Sequence, residues 1–354
     1  MRRFIIIMLA LLCGSCAAET FLVTSDLHVT REAHPTLPIL QRDGDAVILL
    51  GDNTNNAHAE EHARVLAFLE SLGREAWVIP GNHDLTKAFR PADFAAMYAA
   101  FGWDRAFSRD AASASCAAMA GRTCLLLLDT NAYGANGSID PLGGVSDETV
   151  AWVRETLASL AADTPVVACG HHPLVNTGVK NNTALLEALR QGGVRLYLCG
   201  HDHGFAAVAE GGLQQITVGQ PQAYPGWVGR LEVTDAGLHW RVDPLCADES
   251  QAARAAELGE NLARGTLKGT VHEDDEAAIT WFCEVFDRIL TSRLPDEACE
   301  RLLNDPAADK WREIETPTVV KKWVFGVLES RPQDVRDIVI HTDAVLKSVC
   351  SDES

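Results

Sequence analysis

Trp77-Val78-Ile79-Pro80-Gly81-Asn82-His83-Asp84 passes from an apolar run straight into a glycine, an amide, an imidazole and a carboxylate. A short apolar run of this kind reads as a strand buried on both faces. The polar quartet then falls at the strand's carboxyl end, where α/β sheets hold their ligands. The same layout recurs along the chain. Phe21–Thr24 leads into Asp26-Leu27-His28, and Ala46–Leu50 into Gly51-Asp52-Asn53. Val166–Cys169 leads into Gly170-His171-His172-Pro173, and Leu196–Leu198 into Gly200-His201-Asp202-His203. Carboxylate, imidazole and amide donors gathered in this way suit divalent first-row metals.

Taken singly, each patch is better read as a turn or a cap. Gly51-Asp52 suits a turn, Asp26 a cap and Asn82 a left-handed residue, while a lone His171 suits a hydrogen-bonded core. The ordered set of five points instead to a two-metal hydrolase. A phosphate ester resists hydrolysis because the nucleophile approaches an anion and the leaving oxygen departs with charge. Two neighbouring metals answer both problems, with a bridging hydroxide as nucleophile and phosphate oxygens on the cations. Such a centre needs one carboxylate that bridges, and Asp52 is the candidate. Asp26 and His28, two residues apart, reach one metal if the loop bends at the strand end. Asn82 adds a neutral oxygen donor. His201 and His203, also two apart, diverge enough to serve different metals.

These patches resemble the calcineurin-like metallophosphoesterase superfamily, whose motifs run DxH, GD, GNH[DE], H and GHxH in this order. The resemblance covers about residues 20–245 and implies an α/β fold, a two-sheet α/β/β/α sandwich. It implies one metal on Asp26, His28, Asp52 and His203, and a second on Asp52, Asn82, His171 and His201. Both would be divalent, as Mn, Fe or Zn. His83 would be the general acid or would stabilise the transition state, and Asp84 would orient its ring. The family pattern, a histidine after Gly and two before Pro, selects His171 over His172. Adjacent side chains point to opposite faces, so His172 would face the substrate or pack.

Departures from the pattern narrow the expectation. Serine/threonine protein phosphatases of this superfamily carry an arginine soon after the GD motif and another just before GNH. Here those stretches read Asn53-Thr54-Asn55-Asn56 and Ile79-Pro80-Gly81. Purple acid phosphatases place a tyrosine three residues after the bridging Asp, where this chain has Asn55. Nucleotidases add a large C-terminal substrate domain with strands. By elimination, the chain is most similar to class III cyclic-nucleotide phosphodiesterases and related small bacterial phosphoesterases. The expectation is a hydrolase for a phosphodiester or small phosphorylated metabolite. A non-catalytic metal-binding or partner-docking protein on the same fold is the alternative. Asn53, Asn55, Asn56, His58 and His172 line the substrate approach, or else the asparagines cap the following helix.

Composition sets the wider frame. The chain has 354 residues, 47% of them apolar, and a net charge of −19. That acidity disfavours a nucleic-acid polymer as substrate, since phosphate backbones need basic tracks. Residues 1–19 read as a signal peptide or lipoprotein leader. Arg2 and Arg3 precede the apolar run Phe4 to Leu12, which is too short to span a bilayer, and Gly14 and Ser15 lead to Cys16. Cys16 is the candidate lipid anchor, with cleavage after Ala17 or Ala18 as the competing reading. Export to the cell envelope or surface follows from either. Of ten cysteines, Cys169 and Cys199 fall in core strands as small hydrophobes. Cys246, Cys283, Cys299 and Cys350 are better disulfide candidates.

From Thr20 to about Leu245 strands alternate with helices at Ala59–Leu72, after Ser146, and at Thr183–Leu189. Ile216–Val218, Val228–Val233 and Leu238–Val242 follow as further strands, the last two joined as a hairpin. Loops at Thr30–Pro38, Asn131–Gly144 and Pro221–Gly226 are placed to overhang the cleft. The domains expected are thus the leader, a catalytic domain at 20–246 and an all-helical domain at 247–354. Helical stripes run through Trp281, Phe282, Val285, Phe286, Ile289 and Leu290, then through Trp323, Val324, Val327 and Leu328. Ile338 to Leu346 continues the helical expectation. The tail is acidic, with 13 Lys/Arg against 23 Asp/Glu after Leu245. Its role and any protein partner are not legible in the sequence.

Overall fold

The computed structural model describes residues 18–32, 46–134, 136–175, 177–245, 249–314, 319–330 and 332–341. Residues 1–17 of the expected leader, with Cys16, most of the loop at Thr30–Pro38, and Cys246 and Cys350 lie outside the described residues, while Glu19, set in the leader, begins the first strand. In chain order the elements begin β1 (Glu19–Thr24), β2 (Ala46–Leu49), α1 (Ala59–Ser71), β3 (Glu75–Val78) and α2 (Pro91–Met97). Next come β4 (Ala106–Arg109), β5 (Cys116–Ala120), β6 (Thr123–Leu127), β7 (Ala132–Tyr133), β8 (Ile139–Asp140) and α3 (Asp147–Ala158). Then follow β9 (Val166–Cys169), α4 (Asn182–Gln191), β10 (Leu196–Cys199), β11 (Ala206–Glu210) and β12 (Leu213–Thr217). The hairpin β13 (Trp227–Thr234) and β14 (Gly237–Pro244) precedes α5 (Glu249–Leu267) and α6 (Glu276–Leu290). The chain closes with α7 (Asp296–Leu303), α8 (Pro306–Arg312), α9 (Val319–Ser330) and β15 (Asp337–His341).

Two sheets carry the architecture. One has the order β15-β14-β13-β1-β2-β3, and the other β11-β12-β10-β9-β6-β5-β4. Because strand side chains alternate between faces, each central strand feeds two cores. Val23, Ile48 and Trp77 of the first sheet meet Leu125, Val167 and Leu198 of the second in the layer between them. Leu22, Val47 and Val78 point the other way, onto Val65, Phe68 and Phe94 of α1 and α2. Leu126 and Ala168 turn outward onto Val153 and Leu157 of α3 and Leu185 and Leu189 of α4. The result is a helix, sheet, sheet, helix sandwich whose near-continuous apolar strands are explained by burial on both faces. Cys169 and Cys199 are fully buried in these strands.

Helix starts follow the local chemistry. Ser146 accepts a hydrogen bond from the Thr149 N–H at 3.1 Å and caps α3. At α1 the asparagines do not cap. Glu61 reaches back instead, its Oε2 accepting the N–H groups of Asn56 at 2.8 Å and His58 at 3.2 Å.

Helices α5 to α9 form a region with its own apolar core, built on Trp281, Phe282, Val285, Trp311, Val324 and Leu328. Trp281 and Trp311 donate their indole N–H groups to the Leu302 and Ala278 carbonyls, at 3.0 and 2.9 Å. Among the described residues no helix is long and apolar enough to cross a membrane.

Two expectations for the tail are corrected. Ile338 to His341 does not continue the helices, because Asp337–His341 is strand β15, antiparallel to β14, and the rest of that expected stretch lies outside the described residues. Alternation explains it: Ile338 is buried while its neighbours Asp337 and Val339 are exposed, a period of two. Val335 and Ile338 belong to the core between the sheets, and Trp240 donates its indole N–H to the Val335 carbonyl at 2.9 Å. The tail therefore returns to the sandwich. Nor are Cys283 and Cys299 bridged to one another. Cys283 carries a free thiol, and the buried thiol of Cys299 donates to the Leu294 carbonyl at 3.5 Å.

Candidate metal centre

The five motif loops converge at the carboxyl ends of β1, β2, β3, β9 and β10, and their backbone is unusual. Eight described non-glycine residues have positive φ, and five of them are Asp26, His28, Asp52, His201 and His203. Left-handed backbone is disfavoured for residues with a Cβ and persists where the surroundings over-determine it. Here neighbouring loops do so: Asp26 N–H donates to the Gly51 carbonyl, and His28 N–H to the Asp52 carbonyl. The motif glycines permit the close approach. A Cβ on Gly81 would collide with the backbone nitrogen and Oδ1 of Asp52, and one on Gly200 with Ser25 and Asp26.

Asp52 sits at the middle of the cluster. Its Oδ2 lies 3.7 Å from His28 Nε2 on one side and 3.3 Å from His171 Nε2 on the other. Its Oδ1 accepts the His83 N–H at 2.8 Å. Asp26 Oδ1 lies 3.6 Å from His203 Nε2 and 3.9 Å from His28 Nε2, and the two imidazole nitrogens of His28 and His203 face each other at 3.0 Å. Asp26, His28, Asp52 and His203 thus form one group of ligand atoms all within 4.8 Å of one another. His171, His172 and His201 form a second. Asn82 adjoins it, with Oδ1 3.2 Å from His201 Nδ1. All seven ligand candidates from the sequence are brought together.

The donor atoms fit divalent cations. Asp26 Oδ1 and His171 Nε2 are buried with no hydrogen-bond partner, a costly state for a polar group unless something else satisfies it. Burial lowers His28 and His201 to about 4 and also lowers His203. All three are then neutral near pH 7, the form that ligates metal. Burial raises the Asp26 carboxyl to about 7, with His171 opposing. Asp52 and His171 are tightly paired. Burial opposes charge on both, yet His171 holds the Asp52 carboxyl below its usual range, and Asp52 raises His171 to about 9.

Hydrogen bonds separate His171 from His172, which the ligand-atom grouping does not. His171 Nδ1 donates to the Leu50 carbonyl at 2.8 Å, which leaves Nε2, beside Asp52 Oδ2, as the atom that would ligate a cation once it gives up its proton. The Thr130 hydroxyl oxygen accepts the N–H groups of His171 and His172, which leaves its own proton for His172 Nδ1 at 2.8 Å. The Nε2 of a neutral His172 then carries hydrogen and is a donor, not a ligand. No sequence motif marks Thr130, although it follows β6, which ends at Leu127, as the other loops follow their strands. Gln222 was also missed. Its side-chain amide donates to the Asp26 and Leu27 carbonyls at 3.2 and 3.0 Å, and no motif marks it.

Asp84 does not orient His83. Its carboxylate is fully buried and accepts from the N–H of Gly81, from the N–H and side-chain amide of Asn53, and from the N–H and hydroxyl of Thr54, at 2.7 to 3.1 Å. It locks two motif loops together. The ring contact goes instead to the Asn55 carbonyl, 2.8 Å from His83 Nδ1. Neighbouring side chains diverge, so Asp84 turns inward while the His83 ring packs edge-on against His28, with centroids 4.8 Å apart. Asn53 is buried too, donating to the Ile79 carbonyl at 3.1 Å, and does not line an approach.

A family model for calcineurin-like phosphoesterases matches residues 19–205. The chain belongs to that family. Among curated proteins it is similar to a probable cyclic nucleotide phosphodiesterase of Rhodococcus erythropolis (strain PR4 / NBRC 100887). The two are 26% identical over 171 residues, 45% of this chain and 51% of the relative. The chain thus spans about half the length of the curated relative it matches. Solved structures with similarity include a putative 5'-nucleotidase from Staphylococcus aureus, with TM-score 0.45, 16% identity, and 70% of this chain and 59% of that one covered. Another is the phosphopantetheinyl hydrolase of Mycobacterium tuberculosis, with TM-score 0.39, 16% identity, and 58% and 91% covered.

Proposed function

We propose that this chain is an exported phosphoesterase that works with two divalent cations and hydrolyses a phosphodiester or small phosphorylated metabolite. Family membership supports phosphoester hydrolysis, and the Rhodococcus relative named a probable phosphodiesterase favours a diester. The observation that carries the dinuclear reading is Asp52 Oδ2, placed between the imidazoles of His28 and His171. Asp26, His28, Asp52 and His203 would hold one cation, and Asp52, Asn82, His171 and His201 the other. When bound, such a pair supplies Lewis acidity toward phosphoryl oxygens and a nucleophile at neutral pH. Mixed nitrogen and oxygen ligation suits Mn, Fe or Zn.

The chain's own groups do the rest. His83, with Nδ1 tied to the Asn55 carbonyl, keeps Nε2 available to carry a proton to the departing oxygen. His172, fixed through Thr130 and fully buried, packs behind His171 and His201 and holds that side of the site in place. Arg2, Arg3 and the apolar run before Cys16 support export and a lipid tether.

Purified protein assayed on phosphomonoesters, cyclic nucleotides and aryl diesters, with Mn, Zn and Fe separately, tests the activity. Two metal equivalents per chain and metal-dependent hydrolysis are expected, both lost in Asp52→Asn. Turnover that persists after complete metal removal would overturn the reading. For the tether, Cys16→Ser should abolish incorporation of labelled fatty acid in cells, and unchanged labelling would refute it.

A further inference from the structure

A groove of about 1170 Å³ runs between the loops that follow β10 and β12 and helices α5, α6 and α9. It shares His203 with the metal centre, and that side chain is half exposed. The lining is mainly hydrocarbon, with Phe205, Leu258, Phe286, Ile289, Trp323 and Val327 contributing. Leu258 and Trp323 are 52% and 39% exposed, whereas Trp281 and Trp311 lie in the helical core. Polar groups are the minority of the surface: Asp202 and Arg254 also line it, and Tyr224 donates its hydroxyl to Asp287. Gln222 spends its amide on the Asp26 and Leu27 carbonyls, and Gln251 donates to the Gln222 carbonyl at 3.0 Å. A nucleoside needs several well-placed polar partners to be oriented, whereas most of the surface lining this groove is apolar. Its volume also exceeds the roughly 300–1,000 Å³ of ordinary small-molecule pockets.

We propose that the groove receives the hydrocarbon chain of an amphiphilic phosphodiester. This rests on the hydrolase reading, which places the phosphoryl group at the metal centre. One ester substituent then passes His203 and lies along the apolar surface supplied by the helical region. The helices are in that case part of the substrate site.

The test uses the full chain and a series of 4-nitrophenyl alkyl phosphates from ethyl to octyl. The expected result is a kcat/KM that climbs with chain length, approaching about fourfold per methylene if burial is complete, the factor that about 0.8 kcal/mol per CH2 gives. Leu258→Asp and Trp323→Asp, at exposed positions, should flatten that slope. Calorimetry with octyl methylphosphonate gives a second readout, with binding at least tenfold weaker in the double variant. A flat slope in the unaltered chain, or hydrolysis confined to cyclic nucleotides, would overturn the groove proposal alone. Failure to hydrolyse the ethyl ester, a cyclic nucleotide or a phosphomonoester with any metal would sink the hydrolase reading. The phosphonate titration would then still decide the groove, and equal binding by the double variant would refute it.

Discussion

Replacing His203 by glycine and by alanine separates backbone strain from lost ligation. Both changes remove the imidazole, and because that side chain is half exposed neither leaves a buried cavity. At an ordinary position glycine is the less stable of the two by roughly 0.5–1 kcal/mol, through its larger loss of freedom on folding. Residue 203 has φ of 57°, where a Cβ costs about 1–2 kcal/mol. Only glycine removes that cost, so the order should invert, with His203→Gly the more stable by about 0.5–1 kcal/mol. Urea denaturation in excess chelator, followed by circular dichroism, reads the difference without metal. Glu187, exposed on α4, is the control, where the alanine variant should win by about 1 kcal/mol. An alanine variant at 203 as stable as the glycine variant, with the control behaving normally, would show that the motif loops are not strained.

Adding Mn or Zn at a hundred times its dissociation constant should stabilise the protein by about 2.7 kcal/mol per site, seen as a rise in melting temperature that Asp52→Asn abolishes. His83→Ala should keep its metal content yet lose on the order of 10²–10⁴ in turnover of a diester with a poor leaving group. Asp84→Asn should act mainly on stability, because it weakens an acceptor shared by five donors, and its pH–rate profile should keep the parent shape. Ile338→Ala, far along the chain from every motif, should destabilise the sandwich by about 2–5 kcal/mol; unchanged denaturation would mean that β15 is not part of the core.

Strands flanked by chemistry were the easiest part of the fold to read. The runs at Phe21–Thr24, Ala46–Leu50 and Leu196–Leu198 are apolar throughout because both faces of each sheet are covered. Glycine then marks the places where a motif loop must approach another. Strands β5 and β11 escaped notice because Cys116–Ala120 and Ala206–Glu210 are rich in alanine, which carries little strand preference. They exist because their neighbours β6 and β12 are already in place to pair with them. Strand β15 reads as helix from sequence because its short apolar run fits either period, and the deciding partner, Trp240, lies about a hundred residues earlier. In the site, residue types and order were legible, but side-chain direction was not. The sequence puts Asp84 beside His83, while folding sends one inward and leaves the other facing His28. The backbone carbonyl of Asn55 leaves no trace in residue identity.

Strand β1 pairs with β2 on one side and with β13 on the other, where Glu19 meets Val233. The first strand among the described residues therefore lacks one flank until more than two hundred further residues exist. At a synthesis rate of about 5–20 residues per second, that wait is roughly 10–40 s. Throughout it the strand leading into the Asp26 loop lacks its β13 neighbour, which is complete only at Thr234.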